Sequence, residues 1–306
     1  MDFFDLHCDT ALRLLETGES LADATGHVSL KKAKGLRRWA QVFALFVHDN
    51  KTGCAFAQYC RERDSFREQI KKNGSTVRLC KNGQEIEAAF SAGQYAAILS
   101  VENGSVLEGK IERLKTLSED GIQLLTLTWF GENEIGYGSV AGGPLKPFGK
   151  QVVSRLNDYN ILPDVSHLSD EGVTDVFSLY DGPILATHSN ARKVTGHCRN
   201  LTDAQIREIV RRKGLIGLNL YVDFLCGRAS DSMDAVYRHL IHFLDLGAEH
   251  VLCFGTDFDG STPLKDVEDL TKIPVLYDYL LQRGVKETLL QNVFFENAHR
   301  FWMNRR

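Results

Sequence analysis

Phe3-Phe4-Asp5-Leu6-His7-Cys8-Asp9 runs from an apolar stretch straight into two side chains that can ligate a metal. On an extended strand, residues two apart point to the same side, so His7 and Asp9 are expected to reach one cation. The same apolar-to-polar transition recurs along the chain: Val101 leads into Glu102, Val165 into Ser166-His167, Thr187 into His188, and Phe254 into Gly255-Thr256-Asp257. In a barrel of parallel strands all the C-terminal ends share one face, so residues far apart in sequence converge on one pocket.

The remaining pattern agrees with that architecture. Short β-rich runs are read near residues 3–6, 41–47, 96–101, 124–128, 161–165, 183–187, 215–220 and 250–254, about eight in all. Helical periods lie between them at 55–71, 106–119, 146–159, 203–212 and 233–246, and Thr202-Asp203 supplies a start signal for one of them. This alternation predicts an α/β fold, a (β/α)8 TIM barrel of the metal-dependent hydrolase type, with residues 1–306 as a single domain. The glycine-rich stretch from Gly131 to Gly149 reads as a long loop after a strand.

Composition narrows the function. With 306 residues, 43% of them hydrophobic, the chain can bury a large core, and a net charge of -4 gives no electrostatic reason to bind nucleic acid or an anionic membrane. No apolar run reaches the roughly 20 residues of a membrane-spanning helix, and the first residues lack the pattern of a secretory signal. The seven cysteines are odd in number and show no CxxC spacing, so reduced thiols and a cytoplasmic location are expected. Cys8, between His7 and Asp9, is expected to face away from them as a small buried hydrophobe.

Imidazole nitrogen and carboxylate oxygen suit a borderline cation such as zinc, and a carboxylate can bridge two ions. Two zinc ions sharing Glu102, with His7 and Asp9 on one and His167 and His188 on the other, would use all five strand-end residues. A water held between them would be acidified into a nucleophile, the bridging hydroxide of a hydrolase. Each residue taken singly has an ordinary structural explanation: Glu102 could cap a helix, and either histidine could bond backbone. Their recurrence at five strand ends favours the metal centre. His27, His48, His197, His239, His242, His250 and His299 fall outside the pattern and are assigned to surface or packing.

Asp257, closer to its strand end than Asp259, is the candidate to relay a proton to a leaving amine. Arg199, in the loop His197-Cys198-Arg199-Asn200, could clamp a substrate carboxylate with two parallel hydrogen bonds, and Tyr221 could offer its hydroxyl to substrate. Alternative readings remain an amidohydrolase acting on an N-acyl amino acid, a cyclic amide or a lactone, and a non-catalytic metal-binding barrel.

From Asp5 to about Trp302 the chain resembles the membrane (renal) dipeptidases, peptidase family M19. The resemblance is carried by DLHCDT at the start, SVENG around Glu102, LLTLTW ending at Trp129, DVSHLS around His167, ATHSNAR around His188, CRNLTD around Arg199 and FGTDFDG around Asp257. It implies a dizinc barrel with His7, Asp9, Glu102, His167 and His188 as ligands and Glu102 bridging. It further implies Asp257 as the acid/base residue, Arg199 as the carboxylate clamp and Tyr221 as a substrate contact. A dipeptide substrate, tolerance of a D-residue at its C-terminal side and a homodimer are also implied. Mammalian-type members carry a histidine where this chain has Trp129, which puts substrate preference in question.

Overall fold

The computed structural model describes residues 1–49, 53–227 and 232–305. Its strands are Asp2–Cys8 (β1), Arg38–Phe46 (β2), Val77–Leu79 (β3), Tyr95–Glu102 (β4), Ile122–Thr126 (β5), Leu162–Asp164 (β6), Leu185–Ala186 (β7), Leu215–Leu218 (β8) and Leu252–Phe254 (β9). They form one sheet in the order β2-β1-β9-β8-β7-β6-β5-β4-β3, and a further pairing of β2 with β4 closes it. The closed ring is a parallel eight-stranded (β/α)8 barrel, as the alternation of periods predicted.

β3 is the ninth strand, unforeseen because three residues are too few to display a period. It pairs with Tyr95–Ala97 at the lower half of β4, whereas β5 pairs with β4 only from Leu99 upward. The short strand thus takes up hydrogen bonds of β4 that β5 does not reach.

Side-chain alternation sorts the apolar residues into two layers. Phe4, Leu6, Ala40, Val42, Ala96, Ile98, Leu124, Leu162, Leu185 and Leu215 fill the inside of the barrel. Phe295, Ala298 and Trp302 join that cluster, with the Trp302 ring 5.1 Å from Phe4, and so plug the end where the strands begin. Phe3, Trp39, Phe43, Leu45, Leu99 and Val101 face outward into the larger cluster beneath the helices. Each such side chain contributes about 1.5–3 kcal/mol when fully buried.

One irregularity matters for function. Asp5 pairs with Gln41 but Cys8 with Phe43, so β1 spends three residues where β2 spends two. This bulge reverses the alternation. Phe4 and Leu6 belong to the inner cluster, yet Cys8 joins Phe3 in the outer one, and His7 turns into the barrel mouth. Cys8 is a buried thiol, its pKa raised well above the usual range by burial, as expected of a packing residue.

Helix boundaries follow local signals. Thr202 and Gln205 form a reciprocal capping box at the start of Asp203–Arg211, the signal read from Thr202-Asp203. The single helix expected over 106–119 is instead a 3-10 turn, Gly104–Leu107, and a helix, Arg113–Glu119. The break falls at Glu108, which adopts a left-handed φ of 45°. Its carboxylate accepts the Phe56 backbone N–H and pairs with Arg113 at 2.7 Å, which holds the break open. The glycine-rich loop ends sooner than expected: Pro147 begins a helix that includes Gly149.

His239, on the helix Met233–Asp245, is packing as assigned, but packing with a defined hydrogen-bond role. Its Nδ1 accepts from the Ala191 N–H at 3.1 Å, so Nε2 carries the proton and donates to the Leu225 carbonyl at 2.8 Å. Burial lowers its pKa from 6.5 to about 4. A folded pKa below the unfolded one means stability that is fully present above pH 6.5 and drains away as pH falls toward 4. H239L is expected to cost about 1–3 kcal/mol near neutral pH, because the buried Ala191 N–H loses its partner, whereas the Leu225 carbonyl still accepts from Thr195 Oγ1 at 2.8 Å. Denaturant titrations at neutral and acid pH check this: the gap between wild type and variant should narrow on acidification.

Candidate metal centre

All five strand-end residues meet at the mouth of the barrel. His7 is on β1, Asp9 just beyond it, Glu102 ends β4, and His167 and His188 follow β6 and β7. Glu102 lies between two sets of donors: Oε2 is 3.4 Å from His7 Nε2, while Oε1 is 3.0 Å from His167 Nε2 and 3.7 Å from His188 Nε2. His7 Nε2 is also 3.4 Å from Asp9 Oδ2. The donors therefore group as His7, Asp9 and Glu102 on one side and Glu102, His167 and His188 on the other, with donor atoms in each group within 4.8 Å of one another. A third grouping links His7 and His188 to Asp257.

These residues fit divalent cations. His7 Nε2 and Asp9 Oδ1 are buried and have no hydrogen-bond partner among the described residues, a costly arrangement for a group that only packs. Mixed imidazole and carboxylate donors are the set that zinc and similar ions take. Burial alone would lower the His7 pKa, but the charges of Glu102 and Asp9 overcome it and hold the ring well above the ordinary imidazole range. Burial, aided by Glu102, pushes Asp9 up to about 6. Burial and nearby positive charge keep His167 and His188 well below the imidazole range, in the neutral form that ligates metal.

The loop after β9 separates the two aspartates that follow it. Both line the cavity, but Asp257 stands beside the donor cluster, its Oδ1 3.9 Å from His7 Nε2 and its Oδ2 accepting from Asn219 Nδ2 at 3.0 Å. Burial, reinforced by Asp9 and Glu102 and opposed by His7, lifts it to about 7. Asp259 instead ties the loop down: Oδ2 accepts from Thr10 Oγ1 at 2.7 Å and Oδ1 from the His27 N–H at 2.6 Å. Asp257 and His167 both hold left-handed backbone, with φ of 63° and 70°. Such strain at non-glycine residues costs of order 1–3 kcal/mol and collects at functional positions. Gly260 is needed here, since a Cβ would lie 1.9 Å from Asp9 Oδ2.

Above these groups opens a cavity of about 310 Å³. Its wall includes Tyr221, as expected, whose hydroxyl donates to Asp223 at 2.8 Å. Arg199 lies deeper: it is buried, donates to Ser189 Oγ at 2.9 Å and to the His188 carbonyl at 3.0 Å, and its Nε is without a hydrogen-bond partner among the described residues. Burial lowers its pKa to about 10, which leaves it charged at neutral pH.

His48, assigned from sequence to surface or packing, lies on the cavity wall. It sits against Phe46 at 4.9 Å and near Trp129 at 6.4 Å, and Trp129 packs edge-on to Phe130, itself 5.1 Å from His167. The strand-end rule applied to the run ending at Val47 would have found His48. Phe130 carries no such signal, since a loop aromatic looks the same whether it faces solvent or substrate.

A sequence profile of the membrane dipeptidases (peptidase family M19) matches residues 1–305. The chain belongs to peptidase family M19. Membership makes it a hydrolase of the metallo-dipeptidase class. Two solved structures superpose on it with TM-scores of 0.93: dipeptidase AC, a metallopeptidase of family M19 with 28% identity covering 100% of this chain and 98% of its own, and a metallopeptidase from Rhodobacter sphaeroides. The latter, at 26% identity with 100% and 99% coverage, is bound to a phosphinate mimic of L-Ala-D-Ala. An Acinetobacter calcoaceticus protein of the PQQ-III 3′ region is 26% identical over 250 residues, 72% of this chain and 79% of that protein.

Proposed function

We propose that this M19 enzyme hydrolyses the amide bond of dipeptides at a pair of zinc ions held by His7, Asp9, Glu102, His167 and His188. The observation that carries this reading is the division of Glu102 between two donor sets at the floor of a cavity. The ion pair, when bound, would acidify water and neutralise charge developing on the amide oxygen.

The protein's own groups account for the rest. Asp257 takes a proton from the attacking water and returns it to the departing amine nitrogen; a carboxyl lifted to about 7 can do both near neutral pH. Asn219 Nδ2, bonded to Asp257 Oδ2, keeps the other carboxylate oxygen turned toward the reacting atoms. Arg199, buried behind the cavity wall and not lining it, favours the free carboxylate of the substrate through its charge alone and so dipeptides over longer chains, while Tyr221 stands on the wall itself. Phe46, Trp129 and Phe130 offer an aromatic wall to one side chain of the substrate.

A panel of L,L and L,D dipeptides, assayed with and without a chelator, tests the reading; the L,D members follow from the ligand of the Rhodobacter relative. Hydrolysis is expected to disappear on chelation and return with zinc. Dipeptides with a bulky apolar side chain should exceed glycyl-glycine by about 10-fold or more in kcat/KM. Chelator-insensitive activity, or turnover of lactones and cyclic amides without dipeptides, would replace this assignment with another.

A further inference from the structure

Thr187 follows β7 and precedes His188, and four hydrogen bonds around it determine what it can do. Asp164, fully buried at the end of β6, accepts four: Oδ1 from the N–H groups of Ser166 at 3.0 Å and Thr187 at 2.9 Å, and Oδ2 from the hydroxyls of Thr126 and Thr187, each at 2.6 Å. With four donors already on it, this carboxylate has no place for a proton of its own. Thr187 Oγ1 also lies 2.8 Å from His188 Nδ1. A threonine hydroxyl has one proton, and the short bond to Asp164 Oδ2 uses it. Toward Ser166 Oγ, 3.4 Å away, and toward His188 the oxygen can only accept, so His188 Nδ1 must carry the hydrogen.

We propose that Thr187 is a positioning residue of the metal centre, relaying the Asp164 carboxylate to His188 and fixing the tautomer whose bare Nε2 accepts from His167 Nε2, 2.9 Å away, beside Glu102 Oε1. The inference rests on the dinuclear reading for its purpose, but the tautomer stands on hydrogen-bond accounting alone. Backbone packing keeps the relay in register. A Cβ on Gly217 or Gly255 would lie 1.8 Å or 1.7 Å from the Thr187 carbonyl oxygen, so β8 and the loop after β9 press directly on this residue. His167 has no equivalent brace: its Nδ1 is buried and has no partner among the described residues. Of the two imidazoles beside Glu102 Oε1, His188 is the one whose lone pair the protein has already aimed. An outer partner of this kind raises the basicity of the ring and holds its orientation.

The test uses T187V, which keeps the shape and removes the hydroxyl, and T187S, which restores it. In metal-free wild type labelled with nitrogen-15 at histidine, long-range proton–nitrogen spectra should show His188 with its proton on Nδ1 and a bare Nε2. T187V should show a mixture of tautomers. Competition against a chromophoric chelator should give T187V a zinc affinity about 10–100-fold weaker than wild type, with T187S within about 3-fold. Thermal unfolding of the metal-free proteins separates a folding defect from a ligand defect. A wild-type His188 protonated on Nε2, or a folded T187V that binds zinc as tightly as wild type, overturns the proposal. Were wild type to bind no zinc at all, the dinuclear reading would fail, and the spectra would still decide what Thr187 does.

Discussion

E102Q protein is expected to lose both metal sites at once. The two oxygens of Glu102 address separate donor sets, Oε2 toward His7 and Oε1 toward His167 and His188. Glutamine keeps the shape but replaces one oxygen by an N–H₂ group, which has no lone pair to give and repels a cation. Metal content should fall from roughly two ions per chain to below one, and kcat/KM by about 10⁴-fold or more. The fold should survive, because the inner apolar cluster lies beneath the site and does not include Glu102. Elemental analysis of the purified variant, alongside its dipeptidase rate, decides the matter. Two tightly held ions in E102Q would mean that Glu102 bridges nothing.

D257N should behave differently. Asp257 stands at the edge of the donor cluster, 3.9 Å from His7 Nε2, and its Oδ2 is occupied by Asn219. Asparagine preserves that hydrogen bond, after an amide flip, and removes the capacity to carry a proton. The expected result is a loss of about 10²–10⁴-fold in kcat with metal content retained and KM changed little. The acid limb of the pH–rate profile, set by deprotonation of this carboxyl, should flatten. Steady-state kinetics across pH on metal-replete protein would show it. An equal fall in metal content would mark Asp257 as a ligand, consistent with the third donor grouping of His7, His188 and Asp257. The pair of variants thus distinguishes a residue that assembles the centre from one that acts beside it.

Much of this site was legible in the chain because its signals are local. An apolar run that ends in His7, Glu102, His167 or His188 announces itself within a few residues, and parallel strands bring all such ends to one face. The same rule separated Asp257 from Asp259, and the structure gives the two distinct partners: one stands beside His7 and Asn219, the other pins its loop to Thr10 and His27. His48 was overlooked although it too follows a strand and precedes Asp49, because the strand-end rule was not applied to the run that ends at Val47. The break at Glu108 escaped notice because its cause, the backbone of Phe56 and the side chain of Arg113, lies partly in another helix.

Residue types and their two-residue or 3.6-residue periods, written along the chain, were sufficient for the barrel, for the five donors and for the aspartate beside them. Only folding in three dimensions decided which way those donors turn. The bulge between Asp5 and Cys8 swings His7 inward against the alternation of Phe4 and Leu6, and it exists because β2 spends one residue fewer over the same span. Glu102 comes to face two donor sets, and Thr187 to link Asp164 with His188, through the register of neighbouring strands. Register is a property of pairs of strands, set by how their side chains and hydrogen bonds mesh, and no single segment of sequence contains it.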